Sequence, residues 1–330
     1  MRARFWRHKI LLIALVSFLA VSGVAAIVRM NSSKPMAEPG LPAVVMETPA
    51  PAIISSNVST ETPPQPQQQP PSPASASQTQ IDPQFEAAAA QNRELQNSLS
   101  WTFGGKQQRG WYLYVPLIRR LIGTESSPDG AEFALALSRW QKSVGLPANG
   151  VLDNATLAVM ITTWQSRRIK QKDYPTPDRL LMIPAAELYD PMRPEELRKV
   201  ETEAYAAYRR MLAEAIRDKS LKLAVTGNEE LAPSEKFLKV VSAFRSREYQ
   251  EQLRRQSPNA GTAGLAINSP HFTGRALDLY VGGEPVSTED SNRAIQVQTK
   301  VYLWLVTNAE RFGFRPYFYE PWHWEYVTNP

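Results

Sequence analysis

Hydrophobic and polar residues change their rhythm several times along the chain. Residues 10–28, ILLIALVSFLAVSGVAAIV, form an uncharged apolar run about long enough to cross a bilayer. From residue 31 to residue 83 no hydrophobic period persists, and the stretch PPQPQQQPPSPASASQTQ reads as a partly polyproline linker. Helical spacing appears after Trp101. In EFALALSRWQKSVGL, Phe133, Leu137 and Trp140 share a face, Gly145 is placed to end the helix, and Asp153 is placed to cap a second short apolar helix. In EELRKVETEAYAAYRRMLAEAIRDK, the residues Leu197, Val200, Ala204, Tyr208, Met211 and Ala215 fall on one face, which predicts a long helix opened by Pro194. Apolar runs at 221–225 and 237–244 predict strands, and Ser246 opens a helix. AIQVQTKVYLWLVTNAERFGF then predicts one strong helix capped by Gly313. Strands mixed with helices, without regular alternation, indicate an α+β domain.

These changes divide the chain into an anchor or signal segment at 1–30, a disordered Pro/Gln/Ser-rich linker at 31–95, a helical domain at 96–168 and an α+β domain at 172–330. Charge orients the first segment. Arg2, Arg4, Arg7 and Lys9 precede the apolar run and no acidic residue appears before Glu38, so the N-terminus stays in the cytoplasm and the rest is exported. A signal peptide cleaved near Val24-Ala25-Ala26 is the alternative, but the apolar run exceeds the usual signal length, which favours a retained transmembrane helix. Either way the body lies outside the cytoplasm, on the periplasmic face of the envelope, and the linker holds it away from the membrane. The formal charge of +5 owes much to the N-terminal segment, so it does not point to nucleic acid.

Cysteine is absent, which removes disulfides and thiolate chemistry and leaves His, Asp and Glu as metal ligands. No G-x-S-x-G, S-x-x-K or phosphate-loop pattern is convincingly placed. The chain has three histidines, and His8 lies in the basic tail. His271 belongs to NSPHFTGRALDLYVGG, where Thr273-Gly274-Arg275 can bend the chain and return Asp278 opposite it on a short strand. His323 belongs to YFYEPWHWEYV, where Pro321 breaks regular structure and residues 322–326 read as a strand. Two imidazoles and a carboxylate leave a tetrahedral zinc with one open position, the pattern of a catalytic site. Zinc brings the pKa of a water there to about 7, and Glu320, three residues before His323, is the candidate base that takes its proton. Glu325 is a rival base by strand alternation.

Two resemblances extend this reading. Phe133, Ala136, Leu137, Trp140, Gln141, Gly145, Leu146, Asn149, Gly150, Leu152, Asp153, Thr156 and Leu157 carry a pattern that resembles the three-helix peptidoglycan-binding domain found beside wall hydrolases. Those residues are equally the core of a generic helical bundle. Ser269-x-His271-x-x-Gly274-x-Ala276-x-Asp278, followed by Glu320-x-Trp322-His323, resembles the zinc D-alanyl-D-alanine carboxypeptidases of the VanY branch, in the LAS group that includes lysostaphin-type enzymes and hedgehog domains. Ser242-Ala243-Phe244-Arg245-Ser246 with Gln250 matches an upstream motif of that family, with Phe244 in place of the commoner Tyr.

The second resemblance implies an LAS-type fold, a small antiparallel sheet with flanking helices, and Zn2+ on His271, Asp278 and His323. It also implies that Glu320 is catalytic, that Arg245 polarises the scissile carbonyl or holds a substrate carboxylate, and that Ser269 and Gln250 line the substrate pocket. The plain alternatives are an ordinary ion pair for Arg245, a helix cap for Ser246, a turn for Ser269, and packing for Trp322 and Trp324. The implied partners are peptidoglycan stem peptides, the glycan polymer and the inner membrane. The implied reaction is release of terminal D-Ala. The metal motif does not separate this from L,D-carboxypeptidase or cross-link endopeptidase activity. A noncatalytic wall-binding scaffold stands as the rival from another class.

Overall fold

A computed structural model describes residues 82–257 and 264–327, all within one compact unit, Ser75–Pro330. The expected membrane or signal helix at 1–30 and most of the linker lie outside the described residues, among which no helix is long and apolar enough to cross a membrane. The linker is shorter than 31–95. Asp82 accepts a hydrogen bond from Gln84 N at 3.0 Å and caps α1 (Pro83–Ser98), with Pro83 where a helix needs no N–H. Phe85, Ala88, Ala89 and Asn92 form its buried stripe. Three of these four are small or polar, so the stripe carries little hydrophobic signal. What docks the helix is an amide: Asn92 Nδ2 donates to the Gly150 carbonyl and Asn92 Oδ1 accepts from Leu152 N, both at 2.8 Å.

A hairpin follows, β1 (Ser100–Phe103) with β2 (Lys106–Arg109), turning on Gly104 and Gly105, both at positive φ. Then come α2 (Val115–Ile122), α3 (Ala131–Ser143) and α4 (Asn154–Ser166). Asp153 caps α4, accepting from Thr156 N at 2.8 Å. Gln141 is buried and ties the turn between α3 and α4. Its Nε2 donates to Asn149 Oδ1 (3.1 Å), the Val151 carbonyl (2.9 Å) and Thr156 Oγ1 (3.0 Å), and its Oε1 accepts from Gly150 N (2.8 Å). The polar residues of the helical motif are therefore the fastening of this bundle.

In the second half, β3 (Leu180–Met182) pairs antiparallel with β4 (Lys199–Glu201). The helix expected from Pro194 starts later, because the residues after that proline form a single 3-10 turn, Glu195–Leu197, and then β4. Glu201 caps α5 (Thr202–Arg217), accepting from Ala204 N at 3.0 Å. No strand forms at 221–225, where Lys222 has φ of 55° and interrupts the extended backbone; Val225 makes only an isolated bridge to Leu231. The strand expected at 237–244 contracts to β5 (Val240–Ser242). Ser246 caps α6 (Arg247–Gln256), and β6 (Ala276–Leu279) follows. The single helix expected at 294–314 is two, α7 (Asp290–Gln296) and α8 (Lys300–Asn308). Thr299 separates them, capping α8 through Tyr302 N at 3.1 Å while its hydroxyl donates to the Val281 carbonyl at 2.9 Å. β7 (Phe314–Pro316) and β8 (His323–Tyr326) complete a four-stranded sheet in the order β5-β6-β8-β7, antiparallel throughout.

The helices of the first half and the sheet of the second share one apolar core. Phe318, on the loop before β8, meets Phe103 edge-on at 4.7 Å and stacks with Trp164 at 5.8 Å, with Tyr114 5.4 Å away. Arg293, 1% exposed, donates to the Tyr114 hydroxyl (3.2 Å) and the Tyr319 carbonyl (3.1 Å) and pairs with Asp290 (2.6 Å). Through these contacts the helical half grips the loop that carries Glu320.

Candidate metal centre and active site

Sheet register aligns the site. Ser242 on β5 faces Asp278 on β6, and Asp278 faces His323 on β8. His271 arrives from the 3-10 turn Pro270–Thr273, opened by Ser269, whose Oγ accepts from His271 N at 3.3 Å. The turn is closed by Gly274 at φ of 67°, where a Cβ would come within 2.9 Å of Glu201 N. That close backbone approach, sealed by Glu201 N donating to the Gly274 carbonyl at 3.0 Å, leaves no room for a side chain.

His271 Nδ1 lies 2.6 Å from the Ala243 carbonyl. A carbonyl only accepts, so Nδ1 carries the proton and Nε2, 3.3 Å from Asp278 Oδ1, keeps its lone pair. His323 is the mirror case. Its Nε2 lies 3.2 Å from Glu325 Oε1, and its Nδ1 lies 2.9 Å from Asp278 Oδ1. One ligand atom from each of His271, Asp278 and His323 falls within 4.8 Å of the others. Two nitrogens and a carboxylate oxygen, each histidine held at its far nitrogen by an acceptor, fit a zinc ion in both donor type and supporting hydrogen bonds.

Electrostatics separate the groups. Burial and the neighbouring Arg245 lower His271 to about 4, so its imidazole is neutral at pH 7. Burial opposes the charge on Asp278, yet His271 and Arg245 hold it well below the usual carboxylate range. Burial also disfavours a charged His323, but its hydrogen bonds to Asp278 and Glu325 outweigh this and raise it to about 9. Glu320 is pushed up to about 8 by burial.

Glu320 sits in a tight turn: its N–H donates to the Tyr317 carbonyl at 3.1 Å, and its own carbonyl accepts from His323 N at 2.9 Å. Its Oε2 is 4.0 Å from His323 Nδ1, on the side of the ring that faces Asp278. Glu325, the rival base, is on the other side. Besides His323 Nε2, its Oε1 accepts from Arg168 Nε (2.8 Å) and Nη2 (2.5 Å), and its Oε2 from Ile169 N (2.8 Å). Burial opposes its charge, but the hydrogen bonds from His323 and Arg168 lower it to about 2, so it stays an ionised acceptor.

The remaining predicted residues surround this centre. Arg245 Nη2 binds Asp278 Oδ2 at 2.5 Å and its Nε donates to Ser242 Oγ at 2.9 Å, so it orients the Asp278 carboxylate. Ser269 caps the His271 turn. Gln250 is buried, donating Nε2 to the Ala266 carbonyl at 3.0 Å, while its Oε1 has no hydrogen-bond partner among the described residues. Trp322 and Trp324 are buried in the core. Sequence reasoning missed the Ala243 carbonyl, which no side-chain pattern signals. It also missed Arg168 and the Ile169 amide, which are more than 150 residues from the carboxylate they bind.

Residues 198–329 match the family model VanY, described as D-alanyl-D-alanine carboxypeptidase. A solved LdcB LD-carboxypeptidase, studied for peptidoglycan recognition, is 23% identical to this chain, with 48% of this chain and 71% of that chain covered at a TM-score of 0.33. No curated protein matches significantly. The matched segment encloses His271, Asp278, Glu320, His323 and Arg245.

Proposed function

We propose that this protein is an extracytoplasmic zinc peptidase that releases terminal D-Ala from peptidoglycan stem peptides. The observation that carries the reading is the convergence of ligand atoms from His271, Asp278 and His323 within 4.8 Å, with the Glu320 carboxylate 4.0 Å from His323 Nδ1. Bound there, zinc supplies the Lewis acidity that polarises a scissile carbonyl and makes water nucleophilic near neutral pH. Glu320 receives the proton of the attacking water and returns it to the leaving amine. Arg245 holds Asp278 with Nη2, which leaves Nη1 as a donor to the substrate carbonyl or terminal carboxylate. Ser269 and Gln250 line the substrate side, where Gln250 Oε1, without a partner among the described residues, is an acceptor for a peptide N–H. The resemblance of the helical half to wall-binding domains supports a second contact, with the glycan polymer. The basic and apolar residues at the N-terminus support a location outside the cytoplasm, tethered to the membrane.

The test is incubation of the purified full-length chain with Zn2+ and a stem pentapeptide ending in D-Ala-D-Ala. Free D-Ala should appear and should vanish on chelation and in Glu320→Ala. Zinc uptake without cleavage of any stem peptide would overturn the reading in favour of a scaffold. Release of cross-link fragments without free D-Ala would replace it with an endopeptidase.

A further inference from the structure

Glu325 and His323 are two apart on β8 and point to the same side of the sheet, which puts a buried carboxylate against the far nitrogen of a ligand imidazole. A carboxylate that is 0% exposed requires compensation. Within its own half of the chain the imidazole N–H is the hydrogen-bond donor it has among the described residues. The rest comes from outside that half and outside the segment matched to the VanY family: Arg168 and the Ile169 amide, just beyond the end of α4. Arg168 is itself fixed. Its Nη1 donates to Gln165 Oε1 at 2.8 Å, its guanidinium lies 3.8 Å over the Tyr317 ring, and its side chain is 17% exposed.

Arg168 and His323 converge on one atom, Glu325 Oε1. An ion pair that served only to join the two halves could use any oxygen at their boundary. Here the guanidinium holds the same oxygen that meets His323 Nε2 at 3.2 Å. Without the guanidinium, Glu325 Oε1 loses the two hydrogen bonds that fix it against the ring. A displaced oxygen no longer orients the imidazole, so Nδ1 is no longer held toward Asp278 Oδ1, 2.9 Å away.

We propose that Arg168, contributed by the helical half, is a positioning residue for the metal centre, acting through Glu325 on His323. The helical half is then a working part of the active site. This rests on the reading that His271, Asp278 and His323 hold a divalent cation.

The experiment compares full-length wild type with Arg168→Ala, Arg168→Lys, Glu325→Gln and Arg167→Ala, an exposed neighbour, as control. Zn2+ affinity is measured by chelator competition, folding by circular dichroism, and kcat and KM on the stem pentapeptide. Folded Arg168→Ala should bind Zn2+ about 10- to 100-fold more weakly, the range for loss of a hydrogen-bonded supporting group. Its kcat should fall more than KM changes, Arg168→Lys should recover part of both, and Arg167→Ala should match wild type. Should Arg168→Ala fail to fold, the near-isosteric Glu325→Gln decides, with weakened Zn2+ binding expected. Wild-type affinity and kcat in folded Arg168→Ala, or wild-type affinity in Glu325→Gln where the former does not fold, overturn the proposal. Wild type that takes up no Zn2+ overturns the metal centre and this inference together. Weakened Zn2+ binding in Arg168→Ala alongside a wild type that cleaves no stem peptide keeps the inference and sinks the peptidase reading alone.

Discussion

Asp278 and His323 stand directly opposite each other on neighbouring strands, with Oδ1 and Nδ1 2.9 Å apart. With His323 raised to about 9, a proton lies between them at neutral pH, and a cation needs the lone pair that this proton occupies. Because the pKa is raised, the competing proton is fully present below it and lost as pH climbs through about 9. Metal affinity should therefore strengthen with pH up to that point, by about tenfold per pH unit for each proton displaced. Calorimetric titration with Zn2+ at pH 7 in buffers of different ionisation enthalpy should show release of at least one proton per ion. A proton count of zero would contradict the arrangement.

Phe318 joins the helical half to the Glu320 loop, and it is 2% exposed among Phe103, Tyr114 and Trp164. Phe318→Ala should lose about 3–5 kcal/mol of stability, the usual cost of emptying a buried aromatic site. Because Glu320 is two residues away, kcat should drop as well. Denaturant unfolding and steady-state kinetics check both, and a loss below about 1 kcal/mol would mean that the halves are not packed through this ring.

The grouping of the candidate site residues was legible because it is local. His271 and Asp278 are joined by one turn and one strand, and Glu320 and His323 by a single turn, so spacing alone brought each pair together. The same holds for the caps at Asp153 and Ser246, each set by the residue three positions on. What stayed hidden depends on contacts distant in sequence. Thr299 splits an apolar helix because its hydroxyl finds the Val281 carbonyl on another segment. α1 looked like linker because its docking residue is Asn92, a polar side chain whose partners lie 58 and 60 positions away. Glu325 read as a rival base because nothing near it in sequence announces Arg168, 157 positions earlier. Local periodicity reports how a segment can fold, whereas partners of buried polar groups are chosen by the tertiary structure.

Gly150 tests whether the helical motif is fastening. It adopts φ of 73°, and a Cβ there would lie 2.6 Å from the Ala134 carbonyl oxygen. Gly150→Ala should cost about 2 kcal/mol or more, from the left-handed backbone plus the clash, read by thermal unfolding. Zn2+ affinity of the folded fraction should be unchanged, since Gly150 hydrogen-bonds Gln141 and Asn92, far along the chain from the ligands. A stable variant would show that this turn adapts.

Glu320→Gln separates metal binding from proton transfer. Glutamine keeps the shape of the side chain in its turn but accepts no proton at the pH of the reaction. Since the side chain approaches His323 Nδ1 only to 4.0 Å, whereas Asp278 reaches the same nitrogen at 2.9 Å, the ligand set should survive the change. Zn2+ content should equal that of wild type while kcat falls by about 10²- to 10⁴-fold, the range for a missing general base. In the wild type, burial raises Glu320, so its base form is lost as pH falls, and activity should decline on the acid side; a bound cation, being positive, shifts that decline below about 8. The variant should lose this acid limb altogether. Retention of both the limb and wild-type kcat would assign the base elsewhere, and Glu325, fixed by Arg168 and His323 on the far side of the ring, is not placed to supply it.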